Sequence, residues 1–123
     1  MIYQGNAITV ARGTGNGGED IAMLTFDLKG ESINKLSSAV VAELDEAVQA
    51  IRAENGLKGL VIGSGKEAFI VGADITEFHG IFEKGEAYLV EMNLKVHEIF
   101  NAIEDLPFPT VTAINGLALG GGC

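Results

Sequence analysis

The sequence is short of basic residues, cysteine and long apolar runs, and each shortage excludes a class of protein. Its 8 Lys and Arg stand against 17 Asp and Glu, and a formal charge of −9 disfavours general nucleic-acid binding because phosphates would be repelled. The one cysteine, Cys123, cannot form an intramolecular disulfide. No apolar run is long enough to cross a bilayer, and the first residues lack the basic start and apolar core of a signal peptide. The sequence therefore predicts a cytoplasmic protein that neither inserts into a membrane nor binds nucleic acid.

Glycine, in contrast, is abundant: the chain has 17 glycines and only 2 prolines. Hydrophobic residues make up 47% of the chain and charged residues 20%, which is typical of a folded globular domain. A length of 123 residues suits a single domain with a real core. Glycines at this density mark either tight turns or backbone that a ligand approaches closely, so their positions matter.

The apolar patterns predict strands that alternate with helices, which is an α/β fold. Strands are expected at residues 6–12, 21–28, 57–63 and 110–115, with a further short apolar run at 68–71. Helices are expected from Ser37 or Ser38 to about Glu54, from the capping-box sequence Asp74-Ile75-Thr76-Glu77 to Gly80 or Gly85, and from Glu86 to Asp105.

The glycine-rich stretch at residues 13–18 happens to match the dinucleotide-binding pattern GxGxxG. That pattern binds a phosphate only when a helix follows it, because the phosphate sits on the helix N-terminus. A strand-like segment follows here, so we interpret the stretch as a solvent-exposed hairpin connection with no bound nucleotide.

Two other glycine-rich segments share one layout, in which an apolar strand runs through small residues into a helix start. They are residues 69–75 and residues 114–122. Small residues let a ligand approach the backbone, and a helix start presents free N–H groups. Two such groups converging on one oxygen would form an oxyanion hole, although ordinary strand-to-helix turns have the same spacing.

The amino-acid sequences of these segments resemble those of a known family. The segments AFIVGADITEF, at residues 68–78, and PTVTAINGLALGGGC, at residues 109–123, resemble the two signature regions of the enoyl-CoA hydratase/isomerase, or crotonase, superfamily. The segments MIYQGNAITV, FDLKGESINKL and EDLPFPTV are similar, more narrowly, to the hydratase regions of bacterial fatty-acid oxidation complex alpha subunits. The resemblance implies the N-terminal part of a crotonase-like α/β domain over residues 1–123, built from repeated β-β-α units.

The resemblance also implies a site and a reaction. It implies hydration of trans-2-enoyl-CoA to 3-hydroxyacyl-CoA in fatty-acid β-oxidation, with the backbone N–H groups of Ala73 and Gly121 holding the thioester oxygen. The CoA moiety is expected near Ser32, Ile33, Val71 and Gly72.

The same resemblance implies that the catalytic acid–base groups lie outside the 123 residues. In the family's hydratases a glutamate follows the Gly-Gly-Gly-Cys stretch and a second glutamate lies further along, and neither position is among these residues. The 123-residue chain alone is therefore expected to be inactive. No cofactor or metal is implied for this region, and NAD would serve only a dehydrogenase domain that follows it. An oligomer, with a thiolase subunit as partner of the full-length relative, is also implied.

Two alternatives stay open at this point. One is a different crotonase chemistry, such as that of an isomerase, a hydrolase or a dehalogenase, because these enzymes differ in their acid–base residues. The other is a non-catalytic CoA-binding or assembly fragment.

Other chemistry-bearing residues have simpler interpretations. Cys123 has no histidine placed to activate it, and His79 and His97 are too far apart for a helical metal pair. Lys35 and Lys66 could attract CoA phosphates, but an isolated surface lysine explains each of them equally well.

Overall fold

A mixed five-stranded sheet organises residues 1–123, all of which the computed structural model describes. The strands lie in the sheet in chain order; the second strand is antiparallel to both the first and the third, and the third, fourth and fifth are parallel. The predicted α/β class is therefore confirmed. The strands are β1 (Tyr3–Gln4), β2 (Ile8–Arg12), β3 (Ile21–Phe26), β4 (Gly59–Ser64) and β5 (Thr110–Thr112), and the helices are α1 (Ser38–Ala53), α2 (Phe78–Glu83) and α3 (Glu86–Glu104).

The core lies between one face of this sheet and α1. In β3 the alternate residues Ala22, Leu24 and Phe26 are buried, while Met23 points to the opposite face and is 39% exposed. That alternation is the period of a strand with one buried face. The α1 residues that pack against this face recur at helical spacing and are Val40, Leu44, Ala47, Val48 and Ile51.

Local signals set both ends of α1. The Ser37 side chain accepts a hydrogen bond from the Val40 N–H at 3.3 Å, which is the usual N-cap geometry. Gly56, just beyond the C-terminus, has φ +81°, a conformation that glycine adopts without a Cβ penalty. The prediction of this helix from Ser37 or Ser38 to about Glu54 is confirmed.

The hairpin interpretation of residues 13–18 is also confirmed in its connectivity. β2 and β3 pair antiparallel, and the Gly13 N–H donates to the Ile21 carbonyl oxygen at 2.8 Å across the connection. A 3-10 turn at Gly18–Asp20 lies inside the connection, and β3 begins directly after it, so no α-helix follows the glycines. Residues 14–17 are exposed.

The structure departs from the predicted strands and apolar runs at β1, at residues 68–71 and at β5. β1 was not predicted, and residues 68–71 form only an isolated bridge, Ile70 to Ala118, because this segment pairs with the second glycine turn and not with the sheet. The apolar face of α3 is mostly uncovered, with Ile99 its one buried residue. β5 is shorter than predicted and fully exposed.

An apolar stripe crosses the outer face of the sheet. Met23, Val61 and Val111 are register partners on the three parallel strands, and Val111 is 59% exposed. No element of residues 1–123 packs over this stripe to the extent that α1 covers the inner face. None of the helices combines the length and the apolar character needed to span a membrane.

Candidate active site

A cavity of about 550 Å³ opens between α1, the turn at residues 73–77, α2 and α3. Its wall is mainly apolar and comes from all three helices. Ala73 and Gly121, one from each glycine turn, line the same cavity. The apolar residues that form the rest of the wall are Leu36, Val41, Ala42, Phe78, Ile81, Phe82, Leu89, Met92, Val96 and Phe100.

The two glycine turns meet because the segments that lead into them, residues 69–70 and 117–119, run side by side. The Phe69 N–H donates to the Leu117 carbonyl oxygen, and the Leu119 N–H donates to the Ile70 carbonyl oxygen, each at 3.0 Å. A Cβ on Gly122 would collide with the Ile70 carbonyl. Only glycine therefore allows the second turn to approach the first so closely.

The backbone N–H groups of Ala73 and Gly121 donate to no acceptor within the chain. Ala73 is the partner of Leu36 in an isolated bridge and precedes the 3-10 turn at Ile75–Glu77, so neither a helix nor a regular sheet ladder uses its N–H. Gly121 lies in the 3-10 turn at Gly120–Gly122, against the Leu36 side chain. Unpaired backbone donors on a concave apolar surface are suited to holding an oxygen that carries developing negative charge.

The four residues expected near CoA lie together but not in this cavity. Val71 donates its N–H to the Asn34 carbonyl oxygen at 3.0 Å, and the Gly72 carbonyl oxygen accepts from Leu36 N–H at 2.8 Å. These bonds place the segment of Ser32 and Ile33 beside the segment of Val71 and Gly72. Ser32 is exposed, Ile33 and Val71 are half-buried, and Gly72 is buried.

Asn34 is a structural residue of this region that sequence reasoning missed. Its side chain is 2% exposed. The Nδ2 group donates to the Phe26 and Phe69 carbonyl oxygens and to Ser64 Oγ, while Oδ1 accepts from Leu28 N–H. The side chain thus joins the end of β3 to the entrance of the first glycine turn. The available signal was one amide side chain between the apolar residues Ile33 and Leu36 in the sequence SINKL.

The turn after Ala73 carries the acidic residues of the site. Asp74 Oδ1 accepts from Thr76 N–H at 3.0 Å and from Thr76 Oγ1 at 2.6 Å. The hydrogen bond from the Thr76 side chain, then that from the Thr76 backbone, lowers the pKa of Asp74 below its ordinary value. The expected cap is therefore present.

The prediction of the second capping-box hydrogen bond, from the Asp74 N–H to the Glu77 side chain, is wrong. Glu77 does not bond the Asp74 N–H; its carboxylate accepts from Ser38 N–H at 3.0 Å and from Ser38 Oγ at 2.7 Å. The short helix that was expected to follow is confirmed as α2, which ends before Gly85. Asp74 and Glu77 both line the cavity, so the hydrogen bonds that join the turn to α1 lie at the cavity wall.

The remaining chemistry-bearing residues lie away from the cavity. Lys66 Nζ bonds Asp27 Oδ1 at 2.9 Å and the Glu31 carbonyl oxygen at 2.7 Å, so its charge is engaged within the chain. His79 pairs with Glu83 on exposed α2 at 3.0 Å, and His97 is exposed on α3. The Cys123 thiol donates to the Ala118 carbonyl oxygen at 3.2 Å.

Known proteins match this chain over most of its length. The enoyl-CoA hydratase/isomerase family model matches residues 16–123. Fatty acid oxidation complex subunit alpha from Pseudomonas putida is 57% identical over 122 residues, and that from Acinetobacter baumannii is 52% identical over the same length. Each match covers 99% of this chain, but the chain spans only 16% of the length of these relatives.

Solved structures share the fold. An enoyl-CoA hydratase from Bacillus anthracis superposes with a TM-score of 0.77 at 27% identity, covering 94% of this chain and 42% of that one. An enoyl-CoA hydratase/carnithine racemase from Magnetospirillum magneticum superposes with a TM-score of 0.82 at 24% identity, covering 97% of this chain and 42% of that one, and shows the fold alone. The crotonase-like fold expected from the sequence is therefore confirmed, and with the family match over residues 16–123 the chain belongs to the enoyl-CoA hydratase/isomerase family.

Proposed function

We propose that residues 1–123 are the N-terminal part of a hydratase domain that adds water to trans-2-enoyl-CoA in fatty-acid β-oxidation. The observation that carries the proposal is the pair of unbonded backbone N–H groups, from Ala73 and Gly121, on one apolar cavity. The names of the relatives, subunits of a fatty acid oxidation complex, support the pathway. The family description supports the reaction class.

In this proposal the thioester oxygen accepts hydrogen bonds from both N–H groups. Addition of water at C3 moves negative charge onto that oxygen, which becomes enolate-like before C2 is protonated. Donors that are already oriented toward this oxygen stabilise the charge more than bulk water does, because they need no reorganisation. The apolar wall supports the proposal because a lower dielectric strengthens such bonds.

The acyl chain would lie along the apolar wall and the CoA moiety outside the cavity. Phe78, Phe82, Met92 and Val96 offer a surface that matches a hydrocarbon chain. Ser32, Ile33, Val71 and Gly72 lie on adjoining segments next to Ala73, so a thioester held at Ala73 could extend its CoA moiety along them. The chemistry needs a CoA thioester and no cofactor.

The family's glutamates supply the acid–base step in this proposal, and they belong to positions after Cys123. In the longer relative a dehydrogenase region would use NAD, and a thiolase subunit would be the partner. We place the protein in the cytoplasm, where an acyl-CoA pathway of this kind operates. These points rest on the family resemblance of the sequence; the names of the relatives give only the fatty acid oxidation complex, and this chain spans 16% of their length.

A binding experiment on the chain tests the proposed oxyanion hole. Calorimetric titration with crotonyl-CoA is compared with titration with S-butyl-CoA, a thioether of equal chain length that has no carbonyl. We expect tighter binding of the thioester, and we expect Ala73→Pro, which removes one N–H, to reduce that preference. Equal affinities of the unaltered chain for the two ligands would overturn the proposal.

The matched control is Ile75→Pro. Ile75 is the first residue of its 3-10 turn, is 73% exposed and does not line the cavity. Proline suits such a position because the first N–H of a helical turn is unpaired. This variant removes a neighbouring N–H and should keep the preference for the thioester.

A further inference from the structure

We propose that Glu77 is a positioning residue for the Ala73 N–H, acting through Ser38 and without touching the substrate. The inference rests on the proposed function, because it assigns a role within the same oxyanion hole. Glu77 is the point at which the turn carrying one oxyanion donor is fastened to the main core helix.

Two attachments enclose Ala73. On its N-terminal side, the Gly72 carbonyl oxygen accepts from Leu36 N–H at 2.8 Å. On its C-terminal side, the Glu77 carboxylate accepts from Ser38 N–H at 3.0 Å and Ser38 Oγ at 2.7 Å. Both attachments end on the same short segment, residues 36–38, that leads into α1. The direction of the Ala73 N–H is set by the backbone between these two points.

The N-terminus of α1 needs the carboxylate that Glu77 brings. The first turn of α1 contains no acidic residue, although a negative charge there is favourable to the helix dipole. Ser37 satisfies the Val40 N–H, which leaves the Ser38 N–H in need of an acceptor. Glu77 supplies both the acceptor and the charge from a distant part of the chain.

The turn and α2 have little else to hold them. Neither the 3-10 turn at Ile75–Glu77 nor α2 contains a buried residue. The Asp74 side chain bonds only Thr76, within the same turn, with the Lys35 charge nearby. Residues without buried apolar contacts move at low cost, so loss of the Glu77 attachment should free the turn while α1 stays folded on its buried face.

Infrared spectroscopy of bound crotonyl-CoA, labelled with carbon-13 at the carbonyl, tests the inference. Two hydrogen bonds to the oxygen weaken the C=O bond and lower its stretching frequency. We expect a clear downshift with the unaltered chain and loss of most of it with Glu77→Ala. Glu77→Gln should retain most of it, because the amide oxygen can accept from Ser38 N–H while its NH₂ donates to Ser38 Oγ.

Two further variants complete the design. Glu83→Ala is the matched control: Glu83 is exposed on α2, bonds only His79, and should leave the downshift unchanged. The double variant Glu77→Ala/Ser38→Ala should reduce the downshift no further than Glu77→Ala, since the two residues act as one unit. Circular dichroism checks that each variant is folded. If Glu77→Ala does not fold, Ser38→Ala, which removes one donor of the pair, must show a smaller downshift than the unaltered chain.

The outcomes separate the inference from the proposed function. An unaltered downshift in folded Glu77→Ala, or in Ser38→Ala, overturns the positioning role alone. The positioning role is also overturned if Glu77→Gln loses the downshift as completely as Glu77→Ala does. Glutamine can make the same two hydrogen bonds to Ser38, so the attachment would then not be the cause of the downshift. Absence of any downshift with the unaltered chain overturns the oxyanion hole itself and this inference with it.

Discussion

The backbone N–H of Leu36 donates to the carbonyl oxygen of Gly72 at 2.8 Å, and this bond joins the entrance of α1 to the first glycine turn. Gly72 has φ +102°, and a Cβ there would lie 3.2 Å from the Leu119 carbonyl oxygen of the second turn. One residue thus meets a conformational and a steric requirement at the place where the two turns touch.

We therefore expect Gly72→Ala to lower the free energy of unfolding by roughly 2–4 kcal/mol, from backbone strain and overpacking together. Gly15→Ala is the matched control, because Gly15 has φ +86° with nothing within 4 Å of the added Cβ. It should cost about 1–2 kcal/mol, the conformational part alone. Urea unfolding measures both. Equal losses would contradict the steric contribution of Leu119.

Removal of the Asn34 side chain should destabilise the fold strongly. Asn34→Ala leaves the Phe69 carbonyl oxygen and the Leu28 N–H without their partner, whereas the Phe26 carbonyl oxygen keeps the Gly65 N–H. Each unsatisfied buried group costs about 1–3 kcal/mol, so we expect a loss of about 2 kcal/mol or more in the free energy of unfolding. Asn16→Ala, at an exposed position in the hairpin connection, should change it little. A small loss for Asn34→Ala would mean that water replaces the side chain.

The lowered pKa of Asp74 predicts an acid-dependent loss of stability. Its carboxylate is favoured in the folded chain, so its contribution is present above the ordinary value of 3.8 and is lost as the pH falls through the lower pKa of the folded state. Asp74→Asn keeps an acceptor for Thr76 but does not titrate. We expect the difference in melting temperature between the two chains to change below about pH 4. A difference that is constant from pH 7 to pH 3 would refute this.

The outer apolar stripe should cause the chain to self-associate. Val111 is 59% exposed and continues the row of Met23 and Val61 across the sheet. A contiguous exposed apolar face favours association because its burial removes that surface from water. Val111→Lys should shift sedimentation or size-exclusion profiles toward the monomer. Gln49→Lys, which adds the same charge at an exposed position of α1, should not.

A polypeptide of residues 1–123 should not hydrate crotonyl-CoA. Ala73 and Gly121 could stabilise the enolate-like oxygen. The family resemblance, however, assigns to no residue that lines the cavity the role of activating water or of protonating C2. Each general acid or base typically contributes about 10²–10⁴-fold, so loss of both should leave the rate near background. The loss of enoyl absorbance measures hydration. Turnover above the buffer rate, abolished by Ala73→Pro, would show that these residues contain the acid–base groups.

The sequence by itself determined the elements whose signals are local. Ser37 caps α1 and Gly56 follows its end because a side-chain acceptor and a positive φ are properties of single residues. Alternation in β3 placed Ala22, Leu24 and Phe26 on one face, since strand periodicity needs no knowledge of the neighbouring strand, although the apolar Met23 on the other face blurs the pattern. The family resemblance then indicated Ala73 and Gly121, but residue spacing alone could not distinguish them from ordinary turns.

Only the tertiary structure decided how distant segments meet. In the folded chain Glu77 accepts from Ser38 and not from the Asp74 N–H. The reason is that the N-terminus of α1 offers both an unpaired donor and the positive end of a helix dipole, which the local turn lacks. The tertiary structure placed Asn34 against the Phe26 and Phe69 carbonyl oxygens, which no pattern in the sequence connects. It also left the α3 face and β5 exposed, since an apolar pattern marks a face that can be covered and does not supply the element that covers it.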